Sequence, residues 1–283
     1  MRRRREAKVL VVGAGSPNAD MVAEVLQSNG IDAEWTDRVK IPSLKRLWHV
    51  DLVYGIYLQT CSRYILAAKL LGKKTVLHFV GSDAYWYARE TSRTRKWFWR
   101  LVLDRADLIL YVSPHLERLV GRTGQVLPFP IRTESFRRLS GRRTPERDVL
   151  YYCPSGESNE RIYRLAWIMD YAREHPDETV TIMGNSAHPA KYRIDLPNVM
   201  VIPYVQRDEM PKLYARHRRL IRMTTEDGLP RMLHEAILAG LQVTYNGQTV
   251  TTIPAEREPE NFAKTFLNLV RTWKDSSEPK NQD

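Results

Sequence analysis

Residues 224–240 read TTEDGLPRMLHEAILAG: an acidic pair, a Gly-Leu-Pro turn, and a helical stretch that carries a second carboxylate, Glu235, and closes at Gly240. Pro230 suits the first turn of a helix, where a missing N–H leaves nothing unpaired, and Asp227 stands just ahead of the amides that such a helix start exposes. Gly228 lets a ligand approach the backbone, and amides at a helix start hold sugar hydroxyls or a phosphate. Glu235 can accept two hydroxyl hydrogen bonds at once, which is what a ribose diol presents. Each carboxylate alone has a plainer reading, Asp227 as an N-cap and Glu235 as a solvated helix face. Together, Asp227, Gly228, Pro230, Glu235, Ala236 and Gly240 form one dense pattern behind a strand-like segment, and the pattern favours a binding site.

Outward from this stretch, strand-like runs alternate with helix-length segments. In the first half the strands are 8–15 (KVLVVGAG), 51–58, 74–80 and 106–113, with helices at 19–30, 62–72 and 91–103 between them. The pattern breaks into Pro, Arg and Ser at 127–147 and resumes with strands at 148–156, 178–184, 198–205, 219–224 and 242–247. Helices are predicted at 161–175, 208–217, 230–239 and 258–274, and RHRR at 216–219 reads as a solvated helix end. Such alternation predicts βαβ units on parallel sheets. The expectation is an α/β chain of two Rossmann-like domains facing a cleft, 1–136 and 148–283, joined by a linker at 137–147. Ligands then gather beyond the carboxyl ends of the strands.

A chain of 283 residues has room for two domains, and its 43% hydrophobic content is globular. No apolar run approaches the ~20 residues that span a bilayer. The opening MRRRREAKVLVVGAG enters a strand directly, without the apolar region of a signal peptide, and Cys61 and Cys153 stand far apart; both point to a cytoplasmic chain. A net charge of +11 argues for an anionic partner. Nucleic acid is not expected, because no RNA-binding motif or stacking strand accompanies the basic residues.

The pattern at 227–240 resembles that of the retaining glycosyltransferases of the GT-B fold, family 4: two acidic residues separated by seven positions, then Ala and a small-x-Gly turn. Here it reads Asp227-x7-Glu235 with EAILAG. VLHFVGSD (76–83) and VLPFPIRTESFRRL (126–139) are similar to two further segments of that family and occur in its order. The resemblance implies that Glu235 binds the nucleotide ribose, Asp227 the hydroxyls of the donor sugar, and the amides of Gly228 and Leu229 the sugar or diphosphate. It also implies a donor substrate that is a nucleotide diphosphate sugar, a lipid-linked or glycan acceptor, and no bound metal or cofactor. One departure stands out. Where the family carries an Arg and a Lys after the first strand of its second domain, this chain has YYCPSGESNERIYRL (151–165), with Glu157 near the expected Arg and Arg161 able to supply one positive charge.

Three further features belong to the first half. VGAGSPNA (12–19) is a glycine loop between strand and helix, so Gly13 and Gly15 are candidates for phosphate or close substrate approach, or for tight-turn packing alone. His78 and Asp83 lie near a strand end, where a carboxylate can steady positive charge on a sugar ring; a core role for His78 is the alternative. In TSRTRKWFWRLVL (91–103), helical spacing puts Trp97, Phe98, Leu101 and Val102 on one side and Arg93, Lys96 and Arg100 on another. Aromatic and basic residues side by side suit an anionic lipid surface, and a helix packed on its sheet with its charges in water is the rival. The expected activity is retaining sugar transfer at the cytoplasmic face of a membrane. Its rival is a weakened GT-B protein that binds a nucleotide sugar or a partner without transfer.

Overall fold

The computed structural model describes residues 7–13, 17–37, 42–139, 141, 143–184 and 196–277. The chain divides into two units, Met1–Ile131 with Pro254–Asp283, and Arg132–Ile253.

In unit 1 the elements run β1 (Val9–Val12), α1 (Pro17–Ser28), β2 (Ala33–Thr36), α2 (Leu44–His49), β3 (Leu52–Ile56), α3 (Leu58–Leu70), β4 (Lys74–Phe79), α4 (Ser82–Arg89), α5 (Arg93–Arg105), β5 (Leu108–Tyr111), α6 (Pro114–Val120) and β6 (Gln125–Val126). Unit 2 holds α7 (Thr133–Arg137), β7 (Arg147–Tyr152), α8 (Glu157–Ile162), α9 (Leu165–Glu174), β8 (Val180–Met183), β9 (Val199–Ile202), α10 (Met210–Ala215), β10 (His217–Arg222), α11 (Arg231–Leu238), β11 (Gln242–Tyr245) and β12 (Gln248–Thr249). The last helix, α12 (Pro259–Ser277), belongs to unit 1.

Each unit is built on one six-stranded sheet, β2-β1-β3-β4-β5-β6 in the first and β12-β11-β10-β7-β8-β9 in the second. All pairings are parallel except β11 with β12. Parallel strands covered on both faces need apolar residues at every position. That is why Val9–Val12 is buried throughout, and so is Leu52–Ile56. Helices cover these faces with one stripe each: α9 buries Leu165, Ile168 and Ala172, three positions on one side of the helix. In each sheet the chain reverses its direction of travel once, between β1 and β3 in unit 1 and between β7 and β10 in unit 2. Ligands of open α/β sheets bind at these switch points, beyond the carboxyl ends.

Four sequence expectations need correction. The domain boundary after 147 leaves 254–283 in the second half of the chain, whereas the structure places them with unit 1. Phe262, Ala263, Phe266 and Val270 bury on one face of α12, which packs on α1. The Phe266 ring meets that of Tyr54 at 5.3 Å, and the buried Arg257 donates through Nη1 to the Phe129 carbonyl, 2.8 Å away. An amphipathic pattern shows that a helix is covered without showing by what. The proposed linker is likewise tied to unit 2, because Arg143 donates to the carbonyls of His217, at 2.9 Å, and Gly240. The helix expected over 161–175 is two, α8 and α9, broken at Arg164, whose φ of 47° leaves the helical region. RHRR is not a helix end: His217 opens β10, is buried, and bridges the Thr181 hydroxyl at 2.9 Å and the Leu213 carbonyl at 2.7 Å.

Candidate functional site

At the switch point of unit 2, Tyr152 closes β7 and Arg222 closes β10. Arg222 is 5% exposed, and its guanidinium packs beside an edge-to-face pair of tyrosine rings, 4.9 Å from Tyr152 and 5.0 Å from Tyr163, the two rings being 5.3 Å apart. Nε donates to Asp227 Oδ2 at 2.9 Å, Nη2 donates to the same oxygen, and Nη1 points at the thioether of Met232, 3.4 Å away. Burial disfavours the charge, but the adjoining Asp227 carboxylate outweighs it, so the guanidinium is held firmly protonated. Asp227 Oδ1 accepts from the Gly228 amide at 3.0 Å. Asp227 therefore holds a cation and shapes the turn. It is not a bare N-cap: Pro230 holds that position, and no side chain caps α11. The loop after β10 is braced from β11–β12, where Asn246, with φ of 48°, accepts from the Thr224 amide through Oδ1 at 2.8 Å and donates its own amide to the Arg222 carbonyl at 3.0 Å. Gly228 is buried and Leu229 half-buried beside this pair.

Glu235 lies one turn into α11, 6% exposed, and is not the solvated helix face that its sequence position allows. Its Oε2 accepts from the Tyr214 hydroxyl at 3.2 Å, its one side-chain hydrogen-bond partner among the described residues. An ionised carboxylate has about four acceptor sites, and burying them unfilled is costly. The carboxylate therefore keeps acceptor capacity beyond the Tyr214 hydroxyl. Tyr214, fully buried, has its hydroxyl proton held by burial and by Glu235. Arg161 is exposed on α8, as is Glu157 at the start of that helix.

In unit 1 the switch point lies between Gly13, after β1, and Tyr57, after β3. A Cβ at Gly13 would stand 3.0 Å from that of Ala19, so close packing of α1 already requires this glycine; Gly15 lies outside the described residues. Tyr57 has φ of 64°, an uncommon conformation for a residue with a side chain, and its hydroxyl accepts from Asn18 Nδ2 at 3.3 Å.

Of the two polar residues expected near the end of β4, both are buried, and His78 takes the core position that is its alternative reading. Asp83 is 1% exposed and accepts from three main-chain amides, Val80 and Gly81 at 3.0 Å and Leu58 at 3.3 Å. Burial raises its pKa while those amides pull it back. Its oxygens tie the turn after β4 to the start of α3. His78 is a core histidine with no exposed surface: Nδ1 bonds the Tyr54 hydroxyl, and the ring packs on Phe129 at 4.4 Å. Burial drives its pKa down to about 3, so the imidazole is neutral.

On α5 the structure turns the expected faces. Trp99, Val102 and Leu103 are buried, with Trp99 against Tyr87, and Trp97 is 66% exposed. Arg93, Trp97 and Arg100 share the outer face, one helical turn apart, and Lys96 is half-buried beside them. Trp86 on the preceding α4 is also 61% exposed. No helix among the described residues is long and apolar enough to cross a membrane.

Sequence reasoning missed the Arg222–Tyr152–Tyr163 cluster and Tyr214. The available signal was RLIRMT, an apolar strand that ends on an arginine where a second apolar residue would pack.

The sequence matches no known family model and no curated protein. Its fold is similar to that of HepE from Anabaena, solved with UDP and glucose, at 15% identity and a TM-score of 0.58 over 94% of this chain and 91% of that one. AviGT4, a glycosyltransferase involved in avilamycin A biosynthesis, is similar over 96% and 99% at 13% identity and a TM-score of 0.66. The UDP-N-acetylglucosamine 2-epimerase of Rickettsia bellii is similar over 96% and 98% at 10% identity and a TM-score of 0.56. Two Rossmann-like units in one chain, each with its own switch point, define the class: this is the α/β architecture of the GT-B glycosyltransferases. A transferase and an epimerase both carry it, so the reaction has to be argued from residues.

Proposed function

We propose that this chain is a glycosyltransferase that moves a sugar from a nucleotide diphosphate sugar to a lipid-linked or glycan acceptor with retention of configuration. The observation that carries the reading is Glu235, a buried carboxylate with one tyrosine hydroxyl on it and acceptor capacity left for a diol. The similar HepE binds UDP and glucose, and a ribose on Glu235 would bring the diphosphate of such a donor toward the turn at Gly228 and Leu229. Retention follows from the Asp227-x7-Glu235 resemblance. Protein cations and main-chain amides, without a metal, would stabilise the departing diphosphate while charge develops on the sugar.

The acceptor side of the reading rests on α5. An exposed tryptophan between Arg93 and Arg100 suits anionic headgroups, each basic charge contributing about 1 kcal/mol near such a surface. This supports work at a cytoplasmic membrane face on a lipid-linked acceptor. A second reading, nucleotide-sugar binding without transfer, is favoured by one feature, the exposed Glu157 at the first turn of α8 where the resemblance expects a cation.

One experiment separates the readings. The protein is incubated with UDP-, GDP- and ADP-sugars and with polyprenyl-phosphate-linked and oligosaccharide acceptors, and products are followed by mass spectrometry and anomeric NMR. Transfer with the donor's anomeric configuration kept supports the first reading. Tight binding of a donor with no product on any acceptor supports the second.

A further inference from the structure

We propose that Arg222 is the residue that receives the phosphate groups of the nucleotide ligand, and that Asp227 serves as its holder in place of a sugar ligand. This rests on the nucleotide-sugar reading of the Glu235 site and names the cation that reading lacks.

Arg222 is the last residue of β10, and Tyr152, which packs beside it, is the last residue of β7; the chain's change of direction in the second sheet falls between these two strands. The guanidinium thus lies at the carboxyl end of this sheet, where ligands of open α/β sheets bind. Burying an ion pair seldom stabilises a fold over apolar side chains of the same volume, so a buried Arg–Asp pair is weak evidence for a structural purpose. Leu220 and Ile221, just before it, show what packs well there.

Nε and Nη2 share one carboxylate oxygen, which orients the guanidinium, and the edge-to-face pair of Tyr152 and Tyr163 packs beside it. The guanidinium also hydrogen-bonds the Tyr163 hydroxyl, and Nη1 is aimed at the sulfur of Met232. A thioether is a weak acceptor, and a phosphate oxygen replaces it with a charge-assisted bond of about twice the strength of a neutral one. Met232 is flexible enough to move aside. Asp227 is unsuited to the sugar in the same arrangement, since Oδ2 is bound to Arg222 and Oδ1 accepts from Gly228.

Arg222→Met alone leaves the largely buried Asp227 without its partner and risks the fold, so the decisive variant is Arg222→Met with Asp227→Asn, which removes both charges together. Parent and double variant are titrated by calorimetry with UDP, ADP and GDP, and by ligand-observed NMR with the matching nucleosides. The thermal midpoint confirms that both proteins fold. The proposal expects the double variant to lose at least about tenfold in affinity for the diphosphate that the parent binds, while its affinity for the nucleoside stays within about twofold. Equal affinity for the diphosphate in both proteins would overturn it and leave the Glu235 reading intact. A parent that binds neither diphosphates nor nucleosides would overturn both.

Discussion

Asp83 in unit 1 and Glu235 in unit 2 are both buried carboxylates near the carboxyl end of a parallel sheet, and they differ in what fills their lone pairs. Asp83 has three main-chain amides around it and so completes a turn. Glu235 has one tyrosine hydroxyl. A buried carboxylate whose acceptors are filled from within is part of the scaffold, whereas one that stays partly unfilled is built for something that arrives later. The basic and imidazole groups differ in charge: His78 is neutral and enclosed, whereas Arg222 is charged and has one nitrogen toward a weak sulfur acceptor.

The sharpest way to break this contrast is to remove single partners. Arg222→Met, made without a change at Asp227, should destabilise unit 2 by roughly 3 kcal/mol in urea unfolding, because the largely buried Asp227 carboxylate loses its cation. Adding Asp227→Asn should restore most of that loss; no recovery would mean that the aromatic packing, not the charge, holds the cluster. Asp83→Ala should cost about 3 kcal/mol, since three amides lose their acceptor, and should do so without a ligand present. If it leaves stability unchanged and lowers activity alone, Asp83 belongs to the chemistry after all.

A smaller effect sharpens the comparison through pH. The His78 pKa is lowered to about 3 by burial, against about 6.5 in an unfolded chain. Between those values the unfolded state binds the extra proton, so the stability contribution of His78 is present above about pH 6.5 and is lost as pH falls toward 3. His78→Gln, which keeps a polar partner for Tyr54 but does not titrate, should flatten the fall in stability between pH 7 and pH 4. Parallel curves for parent and variant would place His78 in water. At the bottom of the scale, Trp97→Ser should change stability by less than about 0.5 kcal/mol, because the side chain is exposed. It should nonetheless weaken sedimentation with vesicles containing anionic phospholipid; unchanged sedimentation removes α5 from any lipid contact.

Much of the fold was legible in the sequence. Runs such as VLVV and the glycine and proline breaks announce parallel strands and their limits, because a strand covered on both faces has no other composition. The return of α12 to unit 1 was not legible, since the pattern around Phe262 and Phe266 reports burial and carries no information about the surface that buries it. The site was half legible. Spacing brought Asp227, Gly228 and Glu235 into view, and local chemistry suggested hydroxyls and phosphate. Partners decide the rest, and they come from distant strands: Arg222 pairs with Asp227, Tyr152 and Tyr163 pack beside Arg222, and Tyr214 reaches Glu235. His78 on β4 and Asp83 in the first turn of α4 are both buried; for His78 a one-residue shift of the strand would reverse that, and no local motif reveals it.

The central claim is that Glu235 awaits the hydroxyls of a nucleotide. Its most direct test is a calorimetric titration of parent and Glu235→Gln with UDP, GDP and ADP. Glutamine keeps the size of the side chain and an acceptor for Tyr214, so folding should change by less than about 1 kcal/mol. The account predicts that one diphosphate binds the parent and binds the variant at least about tenfold more weakly. Equal affinity for that diphosphate in the two proteins would contradict it.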